Sequence, residues 1–134
     1  MFMCVANSAR SQMAEGLAKS ILGPAFSVES AGSVPTKPNP FAIAALQEKG
    51  IDISRNYSKS VEDLSPGFLV KLDYVITLCS DEVCPALVSK ARKLQWPFRD
   101  PAAVVGTDGE RLEAFRAVRD EIETAILKFK ATIS

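Results

Sequence analysis

Cys4 and Arg10 are the residues best equipped for chemistry, and five residues lie between them in the stretch Cys4-Val5-Ala6-Asn7-Ser8-Ala9-Arg10-Ser11. A short apolar strand runs into the cysteine, and an amphipathic helix follows the arginine. A thiolate, a short loop and a guanidinium together suit an oxyanion. The loop can turn its N–H groups inward, and the helix N-terminus adds its positive dipole end. The planar fork of Arg10 matches a tetrahedral oxyanion. The same positive field favours the thiolate of Cys4 and makes it a nucleophile. Residues 5–11 would form the binding cradle. Asn7 tolerates a left-handed backbone and can fix the loop shape. Ser11 can donate its hydroxyl to the thiolate, and Ser8 can add a side-chain contact.

Composition removes other routes. The chain has 134 residues, three cysteines and no histidine. Without histidine there is no Cys–His pair, no Ser–His–Asp triad and no histidine metal ligand. Three cysteines do not have the spacing of a zinc site, so no metal and no bound cofactor are expected. An odd cysteine count argues against a fully paired secreted framework. Net charge is zero, which points away from nucleic acid. No apolar run has membrane-spanning length and no signal-peptide pattern is present. A cytoplasmic monomer, one domain over residues 1–134, is the expectation.

The cysteine and arginine need elements to hold them. Met1–Val5 reads as a strand with almost no lead-in, which leaves open a start upstream. Ser11–Leu22 reads as a helix ended by Gly23-Pro24. Phe26–Ala31 alternates as a strand and closes at Gly32. Asn39 and Pro40 start a second helix that stops at Gly50. Residues 51–65 are turn-rich, with one helical turn near Val61. Tyr74–Leu78 is the strongest strand, a short helix follows at Ala86–Lys90, and Lys93–Trp96 is a fourth strand. Thr107 and Glu110 form a capping box for a last helix to about Lys130. Leu112, Phe115, Val118, Ile122, Ala125, Ile126 and Phe129 are its inward face.

This alternation predicts an α/β fold: a doubly wound sheet of about four parallel strands with helices on both faces. Ligands of such sheets bind beyond the carboxyl ends of the strands. Cys4 ends strand one, Cys79 ends strand three, and Asp100 follows strand four. All three therefore fall on one edge. Taken singly, each has a plainer reading. Cys79 and Cys84 can be small buried hydrophobes, Arg10 a surface ion-pair residue, and Asp100 a turn former before Pro101. Lys59 reads as a solvated lysine, Glu15 as an exposed helix residue, and Trp96 as core.

Four stretches together resemble the low-molecular-weight tyrosine phosphatase superfamily, and within it the arsenate reductases. They are the Cys-x5-Arg-Ser loop with Gln12-Met13-Ala14-Glu15-Gly16, Ser30-Ala31-Gly32, Thr77-Leu78-Cys79-Ser80-Asp81 with Cys84-Pro85, and Trp96-Pro97-Phe98-Arg99-Asp100-Pro101-Ala102. The resemblance covers essentially the whole chain. It implies that Cys4 attacks arsenic while Asp100 protonates the leaving oxygen. Cys79 then attacks Cys4 and arsenite departs. Cys84 attacks Cys79, and the resulting disulfide is reduced by another protein, thioredoxin or else glutaredoxin with glutathione. Four residues between Cys79 and Cys84 give a flexible loop, although a disulfide needs Cα atoms about 5.5–6 Å apart.

Two departures from the family pattern matter. Many relatives have a further cysteine just before the loop arginine, where this chain has Ala9. Some reductases also bind potassium through an asparagine, a glutamate, a serine and an aspartate. Asn7, Glu15 and Ser30 match, but Lys59 stands where the aspartate is expected, and its ammonium would replace the cation. Two rival functions remain: a low-molecular-weight tyrosine phosphatase, and a non-catalytic oxyanion-binding or redox-sensing module. The loop after Asp100 has no tyrosine to receive a phosphotyrosine ring, and a phosphatase would leave Cys79 and Cys84 idle.

Overall fold

The computed structural model describes residues 1–79 and 90–133. Its strands are β1 (Phe2–Cys4), β2 (Ser30–Gly32), β3 (Tyr74–Thr77) and β4 (Arg92–Gln95). Its helices are α1 (Arg10–Leu22), α2 (Pro40–Gln47), α3 (Pro66–Val70) and α4 (Asp108–Ile133). The strands form one sheet in the order β2-β1-β3-β4, and every pairing is parallel. The doubly wound architecture expected from the alternation of elements is present.

Side chains alternate across the sheet and divide the core in two. Phe2 and Ile76 face one side, with Met13 and Leu17 of α1 and Phe115, Val118, Ile122 and Ile126 of α4. Met3 and Val75 face the other, against Leu64, Phe68 and Leu69. The first layer is much the larger, because α1, α2 and α4 pack on one another as well as on the sheet. Gly16 permits that approach: a Cβ there would lie 2.6 Å from Leu46 Cδ1. Trp96 belongs to this layer, edge-on to Phe129 at 5.7 Å.

Several boundaries differ from the sequence reading, each for a local reason. The strand expected from Phe26 begins only at Ser30. Gly23–Ala25 tightens into a 3₁₀ turn, and Phe26 stays exposed. Helix α2 ends at Gln47 and a turn carries the chain to Gly50. Helix α3 is an addition. Ser65 accepts from Phe68 N at 3.2 Å and Pro66 takes the first helical position, but five residues are too few to show a helical period. Helix α4 runs past Lys130 to Ile133 and starts as expected, with Glu110 N donating to Thr107 Oγ1 at 3.2 Å and Thr107 N to Glu110 Oε1 at 3.3 Å. Residues 86–89 of the short helix expected before β4, and Cys84, lie outside the described residues.

Candidate active site

The loop after β1 has its carbonyls turned outward. Those of Val5, Ala6 and Ser8 accept from Val34 N at 2.9 Å, Thr36 N at 3.1 Å and Asn39 N at 2.9 Å. The carbonyl of Asn7 accepts from Ser58 Oγ at 2.5 Å, and that of Ala9 from Met13 N at 2.9 Å. A loop whose oxygens point outward presents its N–H groups to its own centre. Helix α1 opens directly behind it with no side-chain cap and no acidic residue in its first turn. Its positive end is thus left to an anion. Gly32 lets this loop lie against β2, since a Cβ there would sit 2.3 Å from the carbonyl oxygen of Val5.

Cys4 ends β1, is buried, and is a free thiol. Its Sγ lies 2.8 Å from Ser11 Oγ. Asn7 has a left-handed backbone, φ 48°. Its Nδ2 donates to Ser11 Oγ at 2.8 Å and to Ser30 Oγ at 2.9 Å. This tie from helix and sheet to one loop residue offsets the cost of a positive φ in a residue other than glycine.

Arg10 is buried at the mouth of the loop. Its Nη1 donates to the carbonyls of Phe98 at 3.0 Å and Leu78 at 3.3 Å, and its Nη2 lies 3.9 Å from Asp100 Oδ2. Leu78 immediately precedes Cys79. In the sheet, Thr77 stands opposite Met3, and Leu78 N donates to the Met3 carbonyl at 2.9 Å. Cys79 therefore leaves the sheet beside the loop that begins at Cys4. Cys79 is itself buried and disulfide-bonded. Asp100 is half-exposed, and its Oδ1 accepts from Ala102 N at 3.0 Å. The turn-forming role of Asp100 and its position facing Arg10 thus coexist: one oxygen caps the turn, the other points toward the guanidinium.

Lys59 and Glu15 are not the solvated residues their types suggest. Lys59 is buried, with Nζ 3.3 Å from Glu15 Oε1 and 3.5 Å from Glu29 Oε2. Glu15 also accepts from Ser30 Oγ at 2.7 Å and Lys19 Nζ at 3.0 Å. Burial disfavours the Glu15 carboxylate, but the Ser30 hydroxyl, Lys59 and Lys19 outweigh it. The carboxyl is held below its ordinary pKa of 4.5. Gln12, Asn56 and Ser58 complete the site, and sequence reading gave them no role. Gln12 was visible only as a member of the Gln-Met-Ala-Glu-Gly run. Nothing local marks Asn56 and Ser58, which reach the loop only through the fold.

The model of the low molecular weight phosphotyrosine protein phosphatase family matches residues 1–134. An arsenate reductase of Halalkalibacterium halodurans is 45% identical over 133 residues, covering 98% of this chain and 94% of that one. A solved arsenate reductase in its phosphate-binding state superposes with a TM-score of 0.80 at 36% identity, covering 100% of this chain and 97% of that one. A thioredoxin-dependent arsenate reductase of Corynebacterium glutamicum gives a TM-score of 0.62 at 30% identity, covering 94% of this chain and 60% of that one. With the family model spanning residues 1–134 and near-full-length similarity to arsenate reductases, the chain belongs to the low molecular weight phosphotyrosine protein phosphatase family, among its arsenate reductases.

Proposed function

We propose that this protein reduces arsenate to arsenite in the cytoplasm by a three-cysteine relay recharged by thioredoxin. The observation that carries the reading is the outward-turned loop around Cys4 and Arg10, beside the strand that delivers Cys79. The loop amides and the Arg10 fork hold the oxyanion. The Cys4 thiolate forms a bond to arsenic, and the departing oxygen takes a proton from Asp100 and leaves as water. Cys79 thiolate then attacks the Cys4 sulfur. A Cys4–Cys79 disulfide forms, the electron pair of the S–As bond stays on arsenic, and As(III) leaves as arsenite. Cys84 attacks Cys79 and releases Cys4 as a thiolate, leaving a Cys79–Cys84 disulfide. An external dithiol takes up that oxidation and becomes a disulfide in turn.

Ala9 adds support for this order. The loop contains no second sulfur, so the disulfide partner of Cys4 comes from another segment. Lys59 occupies the position where a cation would balance Glu15, and its ammonium takes that role. The reading is tested by arsenite formation with thioredoxin, thioredoxin reductase and NADPH, run against glutaredoxin with glutathione. Sustained turnover with the thioredoxin system and little with the other is expected. Phosphate ester hydrolysis without arsenite formation would favour the phosphatase instead.

A further inference from the structure

Asn7 is hydrogen-bonded at every polar atom of its side chain and at its carbonyl, and main-chain partners fix the direction of each bond. An N–H can only donate and a carbonyl can only accept. The amide N–H of Lys59 lies 3.0 Å from Asn7 Oδ1, so that atom is the oxygen. Nε2 of Gln12 lies 3.2 Å from the carbonyls of both Asn7 and Tyr57, so it is the nitrogen, and it also donates to Asn7 Oδ1 at 3.0 Å. Asn56 Nδ2 holds the other end of Gln12, donating to its Oε1 at 3.1 Å. Asn7 Nδ2 is thereby turned to Ser11 and Ser30, and both hydroxyl oxygens accept from it. Each hydroxyl proton must then point elsewhere. That of Ser30 goes to Glu15 Oε1 at 2.7 Å, and the neighbour within reach of that of Ser11 is Cys4 Sγ at 2.8 Å, where either atom can donate. With the Asn7 amide reversed, its NH₂ would face the Lys59 N–H and Gln12 Nε2. Ser11 would then be free to donate to Asn7 and accept from the thiol.

We propose that Gln12 is a positioning residue for the nucleophile: together with the Lys59 main-chain N–H it locks the Asn7 amide, so that Ser11 presents its hydroxyl proton to Cys4 and supports the sulfur as the attacking group. Gln12 is fully buried on α1 and touches neither the sulfur nor the oxyanion loop's centre. It acts through Asn7 and Ser11. The proposal rests on the reading of Cys4 as the nucleophile and extends the machinery by one residue.

The test uses the reduced full-length chain and iodoacetamide, with alkylation of Cys4 alone read by peptide mass spectrometry. Gln12→Met keeps the length and removes the donor. Asn56→Ala loosens Gln12 from the half-buried rim. Arg10 and Asp100, the charged groups at this edge, are unchanged in both. At about pH 6.5, Gln12→Met is expected to slow alkylation about tenfold and Asn56→Ala about threefold. At about pH 10, where a thiol ionises unaided, the rates of parent and variants converge. Equal rates at the lower pH, or a uniform drop at both, would overturn the proposal. If Gln12→Met does not fold, an unchanged profile in Asn56→Ala overturns it. A parent Cys4 that stays unreactive at the lower pH would instead sink the nucleophile reading.

Discussion

Arg10 holds the carbonyl oxygen of Leu78 at 3.3 Å, so its guanidinium is fastened to the residue that precedes Cys79. A second bond from the same nitrogen, to Phe98 at 3.0 Å, fastens it to the segment leading to Asp100. One guanidinium thus ties the loop to the segments that carry Cys79 and Asp100. A lysine keeps the charge but not the planar fork. Arg10→Lys is expected to lower kcat/KM for arsenate by about a hundredfold or more, the loss of one or two charge-assisted hydrogen bonds. Single-turnover kinetics should show both arsenic capture and the Cys79 step slowed.

On the proposed relay, Cys84→Ser is expected to stop turnover after the second thiol. With thioredoxin and its reductase present, about one arsenite per chain is expected, followed by a stall with Cys4 and Cys79 joined. Arsenite counting and mass spectrometry of the stalled chain check this. Continued turnover would remove Cys84 from the mechanism.

Lys59 brings its own charge to the site of Glu15 and Glu29. Arsenate reduction is therefore expected to run at equal rates in sodium and potassium buffers of matched ionic strength. Lys59→Asp removes the ammonium and adds a third carboxylate, so this variant should gain a dependence on potassium. A strong potassium stimulation of the parent enzyme contradicts the assignment.

Glu15 links stability to pH with a definite sign. Its carboxyl lies below the ordinary value of 4.5 in the folded chain, because Ser30, Lys59 and Lys19 together overcome its burial. Between the folded and unfolded values the unfolded state binds more protons. The stabilisation is complete above about pH 4.5 and is lost as pH falls through the lowered folded value. Urea midpoints measured down this range should fall more steeply for the parent than for Glu15→Gln.

Gly32 answers to space rather than to charge. Its added Cβ would sit 2.3 Å from the carbonyl of Val5 and 2.9 Å from the amide nitrogen of Asn7. Neither neighbour is a flexible side-chain end. Gly32→Ala is expected to cost about 2 kcal/mol or more of stability by displacing main chain, and to weaken phosphate binding measured calorimetrically.

Legibility in the sequence followed the range of the interactions. The edge shared by Cys4, Cys79 and Asp100 could be read from strand order, because the rule for parallel sheets is topological. Asn39-Pro40 and the Thr107–Glu110 box could be read because caps are local. Burial of Lys59 could not, since its partners Glu15 and Glu29 stand 44 and 30 positions away. The role of Gln12 was hidden for the same reason. A glutamine on a helix declares nothing until Tyr57 and Asn56 are brought against it. Helix α3 was missed through shortness alone.

The outward-facing carbonyls of residues 5–9 imply that the cradle is rigid before anything enters it. Its oxygens are already held by neighbouring segments, so an oxyanion has little loop to reorganise on arrival. Such a mould fits a tetrahedral oxyanion by shape and charge, and phosphate has nearly the same shape and charge as arsenate. Choice between the two oxyanions then falls to events after capture. An S–As bond can yield its electron pair to arsenic when a second sulfur attacks, and an S–P bond resists that reduction. On the proposed relay, fidelity comes from redox chemistry, and abundant phosphate is expected to act as a competitor that enters freely and leaves unchanged.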